Sequence, residues 1–235
     1  MKIVATSPSF SKHSTLVLEI NKLSDDIKLN LDGVRLKETE LIDFVGDADA
    51  LIVGLEKIDE VFLDRCKNLK IIAKYGVGLD NIDLEACKKR NIAIGWSGGI
   101  NKLSVAEMAL GFMLSLSRNL FQTSLQLKSG DWNKNGGFQL SEKTIGIIGV
   151  GHIGKEVIRL LAPFNCNILV NDIIDQKEYY QSTGVHECTK DEIFKRCDII
   201  TLHTPLTKDT ECLINAKSLS KMQTNTIVIN TARGG

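Results

Sequence analysis

The residue types and spacing with the clearest chemical content in this chain are the glycines of Gly149-Val150-Gly151-His152-Ile153-Gly154 and the carboxylate of Asp172. A G-x-G-x-x-G hexad says little alone, but here its surroundings are complete. Thr144 to Ile148 is a short apolar run before it, a helical pattern follows it, and Asn167 to Asn171 is a second apolar run closed by Asp172. In such a strand–turn–helix–strand unit, Gly149 permits the tight turn and Gly151 lets backbone amides approach a pyrophosphate. Gly154 lets helix and strand pack closely. The helix that opens at the turn points its N–H groups and the positive end of its dipole at the anion. Asp172 stands where an adenosine ribose would donate hydrogen bonds. A 2′-phosphate would call for an arginine beside it, and Ile173 and Ile174 occupy those positions. The motif therefore predicts an NAD site rather than an NADP site.

Positioning these groups takes a parallel sheet with helices on both faces. Further strands are expected at Asp198–His203 and Thr226–Ala232, with helices near Lys190–Arg196 and Asn215–Met222. Ligands of open α/β sheets lie outside the carboxyl ends of the strands. Thr204-Pro205 and Thr231-Ala232-Arg233-Gly234-Gly235 thus point into the same crevice as the glycine turn, which makes Arg233 a candidate on geometry alone. The first hundred residues alternate in the same way. Strands are expected at Lys2–Thr6, Ile27–Leu31, Ala50–Gly54, Leu69–Lys74 and Ile92–Gly95, with helices at Ser14–Lys22, Glu38–Val45, Asp59–Lys67 and Leu84–Arg90. A boundary near Ser97-Gly98-Gly99 divides the chain into domains 1–100 and 101–235. The fold class is α/β, two doubly wound parallel-sheet domains. Beyond the boundary, Ser104-Val105-Ala106-Glu107 reads as a capping box. Val105, Met108, Ala109, Phe112, Met113 and Leu116 then predict a long, largely buried helix. Gln122 to Gly137 reads as a polar excursion whose Trp132 either anchors a partner subunit or packs over its own domain.

With 43% apolar and 25% charged residues the composition is that of a globular protein, and a net charge of zero gives no basic surface for nucleic acid or anionic lipid. The six cysteines are scattered without zinc spacing, as ordinary thiols of a reducing compartment are, so no metal site is expected. Met1 to Ala5 begins a strand with no signal peptide, and the apolar stretch Val105 to Leu116 is too short for a bilayer and contains Glu107. The expectation is a cytoplasmic protein without a membrane partner.

Four blocks, in this order, resemble the D-isomer-specific 2-hydroxyacid dehydrogenases, especially their phosphoglycerate-dehydrogenase-like branch. They are Lys74 to Asp83, Ser104 to Glu107, Gly149 to Gly154 with Asp172, and Leu202 to Leu206 with Asn230 to Gly235. The resemblance implies a flavodoxin-like substrate domain followed by a Rossmann NAD-binding domain, and a homodimer formed through the latter. It implies that Gly76, Val77 and Gly78 present backbone amides to the carboxylate of a small 2-hydroxy or 2-oxo acid, with Val77 also against the nicotinamide and Asn101 near the substrate. His152 and Ile153 would meet the pyrophosphate, Asp172 the ribose, and Thr204, Pro205, Thr231 and Ala232 the rest of the dinucleotide. Arg233 would hold the substrate carboxylate and carbonyl oxygen, a task suited to a planar guanidinium. His152 is equally explicable as a solvent-facing residue of the first helical turn, Asn101 as a cap residue. His203 reads as a structural histidine at a strand end.

The chain departs from that pattern twice. Gly54-Leu55 stands where phosphoglycerate-oxidising relatives tend to place a phosphate-binding arginine, and only Lys74 offers a positive charge nearby, so 3-phosphoglycerate is one candidate substrate among several. The family's catalytic Glu and its Pro-His motif are not found up to Gly235. An acid/base group is worth roughly 10²–10⁴ in rate. The expectation is a C-terminally truncated chain, its second domain incomplete, weakly active or inactive by itself. The alternative is a non-catalytic NAD(H)-binding scaffold or sensor, against which the retained Arg233 and Gly76–Gly78 loop speak.

Overall fold

Runs such as Ala50–Val53 and Ile145–Ile148 are too short for helices and rich in β-branched residues, and both become buried strands. The computed structural model describes residues 1–234, and Gly235 lies outside the described residues. Two compact units form, Met1–Gly98 and the chain from Gly99 onward. In the first, the elements run β1 (Ile3–Ala5), α1 (Pro8–Ser11), α2 (Ser14–Asn21), β2 (Ile27–Leu29), α3 (Glu38–Val45), β3 (Ala50–Val53), α4 (Glu60–Arg65), β4 (Ile71–Lys74), α5 (Leu84–Lys89) and β5 (Ala93–Gly95). In the second they run α6 (Lys102–Ser117), α7 (Leu120–Lys128), β6 (Thr144–Ile148), α8 (His152–Leu161), β7 (Asn167–Asn171), α9 (Lys177–Thr183), β8 (His186–Glu187), α10 (Lys190–Arg196), β9 (Ile199–Leu202), α11 (Ala216–Leu219) and β10 (Ile227–Asn230).

All pairings between these strands are parallel, in the orders β2-β1-β3-β4-β5 and β10-β9-β6-β7-β8. Both are doubly wound, the first in the flavodoxin-like order. The winding reverses between β1 and β3 in one sheet and between β6 and β9 in the other, and those reversals open the crevices. Helices cover both faces because the central strands bury side chains on both: Ile3 and Val4 on opposite faces of the first sheet, and Ile147 and Ile148 on opposite faces of the second, are buried. Each such side chain stabilises its unit by about 1.5–3 kcal/mol.

Three sequence expectations in the second unit need correction. Ser104 does not cap α6. The helix begins two residues earlier, after a turn at Gly99 (φ +73°) in which Lys102 N–H donates to Gly99 C=O at 3.1 Å, so Ser104 already lies in the first turn. Nor is α6 largely buried. Ala106, Ala109, Met113 and Ser117 are buried on the side that packs against α8, Leu110 and Leu114 are partly buried against the same core, and Met108, Phe112 and Leu116 are exposed. The helix is apolar all round, so periodicity could not reveal which stripe is covered. Finally, the start of the supposed polar excursion is α7, set off from α6 by Asn119 in the left-handed conformation (φ 52°). None of its residues is buried, and its Leu120, Phe121, Leu125 and Leu127 are exposed. Trp132 is 74% exposed, with the Lys134 ammonium 4.6 Å from its ring centre.

Candidate functional site

β6 ends at Ile148 and α8 begins at His152, which leaves three residues for the turn between them. Gly149 has φ +97°, and a Cβ there would lie 2.7 Å from the His203 carbonyl group. A Cβ on Gly154 would sit 2.1 Å from Gly149 O, so the helix is seated directly on the turn. Gly151 differs. No heavy atom lies within 4 Å of its Cβ position, and the residue is exposed at the N-cap of α8. A side chain is excluded from Gly151 by nothing in the protein itself, whereas an anion at the helix start would need that ground.

Asp172, just past β7, folds back onto this turn. Its Oδ2 accepts from Val150 N–H at 2.6 Å and its Oδ1 from Ile174 N–H at 2.9 Å, while Gln176 Nε2 donates to Val150 C=O at 3.1 Å. The carboxylate keeps lone pairs for ribose hydroxyls, since each oxygen can accept more than one hydrogen bond. Ile173 and Ile174 beside it are exposed and offer no cation. His152 is exposed but not unpacked: a Cβ on Gly99 would fall 2.6 Å from its Cγ, so the imidazole lies against the Gly99 turn. Ile153 is half-buried behind it. These residues fit a dinucleotide with its diphosphate over Gly151 and its adenosine ribose at Asp172.

The ends of β9 and β10 complete the crevice in this unit. Thr204, Pro205, Ala232 and Arg233 line a common cleft of about 90 Å³, and Thr231 lies beside it. The loop carrying them is shaped by Asn230, whose Oδ1 accepts from Ala232 N–H at 2.9 Å and whose Nδ2 donates to Arg233 C=O at 2.6 Å. This Asx turn is a recognisable sequence signal that the motif reading passed over. Arg233 is exposed, its guanidinium donating to Ala232 C=O at 3.0 Å.

His203 ties these segments together. Its backbone N–H donates to Ile148 C=O at 2.8 Å, its Nε2 is 3.0 Å from Thr201 Oγ1, and its Nδ1 is 3.4 Å from Thr231 Oγ1. Burial holds its pKa down to about 4, so the ring is neutral at pH 7 and braces two hydroxyls. Below about pH 6.5 an unfolded chain takes up a proton that the folded histidine refuses until about pH 4, so stability falls as pH drops through that window. We expect His203→Asn to flatten the wild-type loss between pH 6.5 and 4 by about 2–3 kcal/mol, read from urea midpoints at each pH. Parallel pH curves for the two proteins would refute it.

In the first unit, Gly76 follows β4 with φ +142°, and the loop it opens is braced from β5, where Trp96 Nε1 donates to Val77 C=O at 2.9 Å. Nothing in the local sequence signals this contact between residues 19 positions apart. Val77 and Gly78 are half-buried, Gly76 exposed. Asn101 belongs to the second unit and sits at the N-cap of α6 without a side-chain capping bond, and its Oδ1 is buried with no protein partner. Asn101 thus occupies the cap position without supplying a capping bond. An unsatisfied buried acceptor costs about 1–3 kcal/mol and marks a place where a donor belongs. Among the described residues no group of three or more His, Cys, Asp and Glu could hold a metal. All six cysteines are free thiols, and burial pushes Cys197 up to about 12, which suits packing and not reactivity. No helix among the described residues is long and apolar enough to cross a membrane.

Residues 110–235, more than half of the chain, match the family model of the D-isomer specific 2-hydroxyacid dehydrogenase NAD binding domain. The chain belongs to the D-isomer-specific 2-hydroxyacid dehydrogenase family. The matched residues 110–235 correspond to that family's NAD binding domain, and NAD is the cofactor. The chain is 35% identical over its whole length to a D-3-phosphoglycerate dehydrogenase of Methanocaldococcus jannaschii, covering 44% of that protein. It is 37% identical to a hydroxypyruvate reductase of Thermotoga maritima, with 88% of the chain and 68% of the relative covered. The chain thus spans less than half the length of the phosphoglycerate dehydrogenase and about two thirds of the reductase. Among solved structures it is similar to the NAD⁺-bound 3-phosphoglycerate dehydrogenase of Entamoeba histolytica, with a TM-score of 0.79, 31% identity, and 99% and 72% of the two chains covered.

Proposed function

We propose that the protein is an NAD-dependent oxidoreductase that moves a hydride between nicotinamide and a small D-2-hydroxy acid or the matching 2-oxo acid. The observation that carries this reading is the 2.6 Å bond from Val150 N–H to Asp172, which joins a ribose acceptor to an amide turn with open ground over Gly151. The dinucleotide supplies or takes up the hydride when bound. The residues of the chain hold and orient. Gly151, His152 and Ile153 embrace the diphosphate on a turn that Gly149 and Gly154 make possible, Asp172 the ribose, and Thr204, Pro205, Thr231 and Ala232 the far half. Gly76, Val77 and Gly78 donate amides to the substrate carboxylate, whose desolvation such donors offset. Asn101 is assigned to the same acid, and its unpartnered Oδ1 supports that. Arg233 is assigned to the carboxylate and carbonyl oxygen, polarising the latter for reduction.

The exposed Met108, Phe112 and Leu116 of α6, with Phe121 and Leu125 of α7 and Trp132, support a homodimer through the NAD domain. Six free thiols support a reducing, cytoplasmic setting.

Oxidation of NADH with a panel of 2-oxo acids tests the activity. We expect weak but measurable turnover of at least one acid, and Arg233→Gln to lower it by about 100-fold while NADH affinity stays within about threefold. NADH binding with silence across the panel would replace this reading with a non-catalytic NAD(H) scaffold.

A further inference from the structure

We infer that the acid bound by the first unit carries no phosphate, and that Glu56 and Lys74 set this choice. The inference rests on the proposed function, in which the Gly76–Gly78 loop receives the substrate carboxylate.

β3 and β4 are parallel neighbours with Val53 opposite Lys74, and Tyr75 N–H donates to Val53 C=O at 2.8 Å. Gly54 therefore lies beside the start of the Gly76 loop. The sheet reverses its winding between β1 and β3, so the crevice lies over Ser7, which follows β1, and Gly54, which follows β3. That floor is already filled. A Cβ on Gly54 would lie 3.1 Å from Ser7 Cβ, 3.2 Å from Ser7 Oγ and 3.4 Å from Glu56 Oε2. The Glu56 carboxylate is turned inward and half-buried, accepting from Gly54 N–H at 2.8 Å.

The neighbouring cation is already engaged. The Lys74 ammonium donates to Gly54 C=O and, at 2.6 Å, to Asn81 Oδ1. Asn81 Nδ2 in turn donates to Glu56 C=O at 2.6 Å and Gly54 C=O at 3.3 Å. Lys57, adjacent to Glu56 in the chain, is paired with Asp59 at 2.9 Å. Bonded to Gly54 there are thus one ammonium held by acceptors and one carboxylate, while Arg35 and Lys37, which line a cavity with Leu55 and Glu56, make no hydrogen bond to this cluster. A phosphate monoester brings about −1.5 to −2 charges and is best met by guanidinium forks. Here it would meet Glu56, and like charges brought together lower affinity. A short acid ending in a hydroxyl meets no such repulsion, and its hydroxyl can donate to the Glu56 carboxylate.

The test is calorimetric titration of hydroxypyruvate and 3-phosphohydroxypyruvate onto the whole chain saturated with NAD⁺, where both acids are already oxidised and no turnover interferes. We expect hydroxypyruvate to bind at least about tenfold more tightly, one decade being about 1.4 kcal/mol. Glu56→Gln should narrow that ratio, and Glu56→Arg should invert it. A structural role for Glu56 would weaken both acids alike and leave the ratio unmoved, which would overturn the assignment. Tighter binding of the phosphorylated acid by the unaltered chain would overturn the inference while leaving the proposed function intact. If NAD⁺ binds and neither acid does, the assignment of the Gly76–Gly78 loop falls, and this inference with it.

Discussion

Gly151→Ala is expected to weaken NADH binding by roughly 10- to 100-fold while the second unit keeps its melting temperature, and Gly154→Ala to lose both. The contrast follows from what each new methyl group meets. At Gly151 it enters open space beside the α8 N-terminus and touches no protein atom, so folding is unaffected. It does stand where the diphosphate must come to reach the amides of the turn. Charge-assisted hydrogen bonds of that kind contribute about 1.5–3 kcal/mol each, so lengthening even one accounts for the expected loss. At Gly154 the methyl group falls 2.1 Å from the Gly149 carbonyl oxygen, which is backbone and cannot swing aside. Helix α8 must then lift off the turn, at a cost of about 3 kcal/mol. Fluorescence titration with NADH beside thermal melting of both variants checks this. Equal destabilisation by the two alanines would show that Gly151 serves the fold and not a ligand.

Asp172→Asn should reduce the preference for NADH over NADPH by about 100-fold, chiefly through weaker NADH binding. Asparagine keeps an oxygen that can accept from Val150 N–H, so the turn retains its tie to β7. It lacks the negative charge that strengthens hydrogen bonds from the two ribose hydroxyls and repels a 2′-phosphate. Each charge-assisted bond is worth about 1.5–3 kcal/mol and a neutral one about 1 kcal/mol, which sets the scale of the change. Exposed Ile173 and Ile174 supply no cation to receive the phosphate, so NADPH binding should improve only modestly. Dissociation constants for both cofactors measured on both proteins decide it, and an unchanged ratio would remove Asp172 from cofactor selection.

The amino-acid sequence by itself determined the alternation of strands and helices, the position of the glycine turn, and the carboxylate that answers it across 22 residues. These are readable because strand and helix periods differ and because each glycine has a local steric task. α3 was legible to the residue and β3 to within one. What local pattern could not reveal is what depends on residues distant in the chain. The helix α6 is apolar on every side, and only the packing of α8 against it selected Ala106, Ala109 and Met113 for burial and left Phe112 in water. The bracing of Thr231 by His203 joins residues 28 apart, and the hold of Lys74 on Gly54 joins residues 20 apart. Parallel strands place such distant loops side by side at one edge of a sheet. The identity of the cofactor was therefore written in one contiguous segment, while the charge balance around the substrate loop exists only once β3 and β4 have paired.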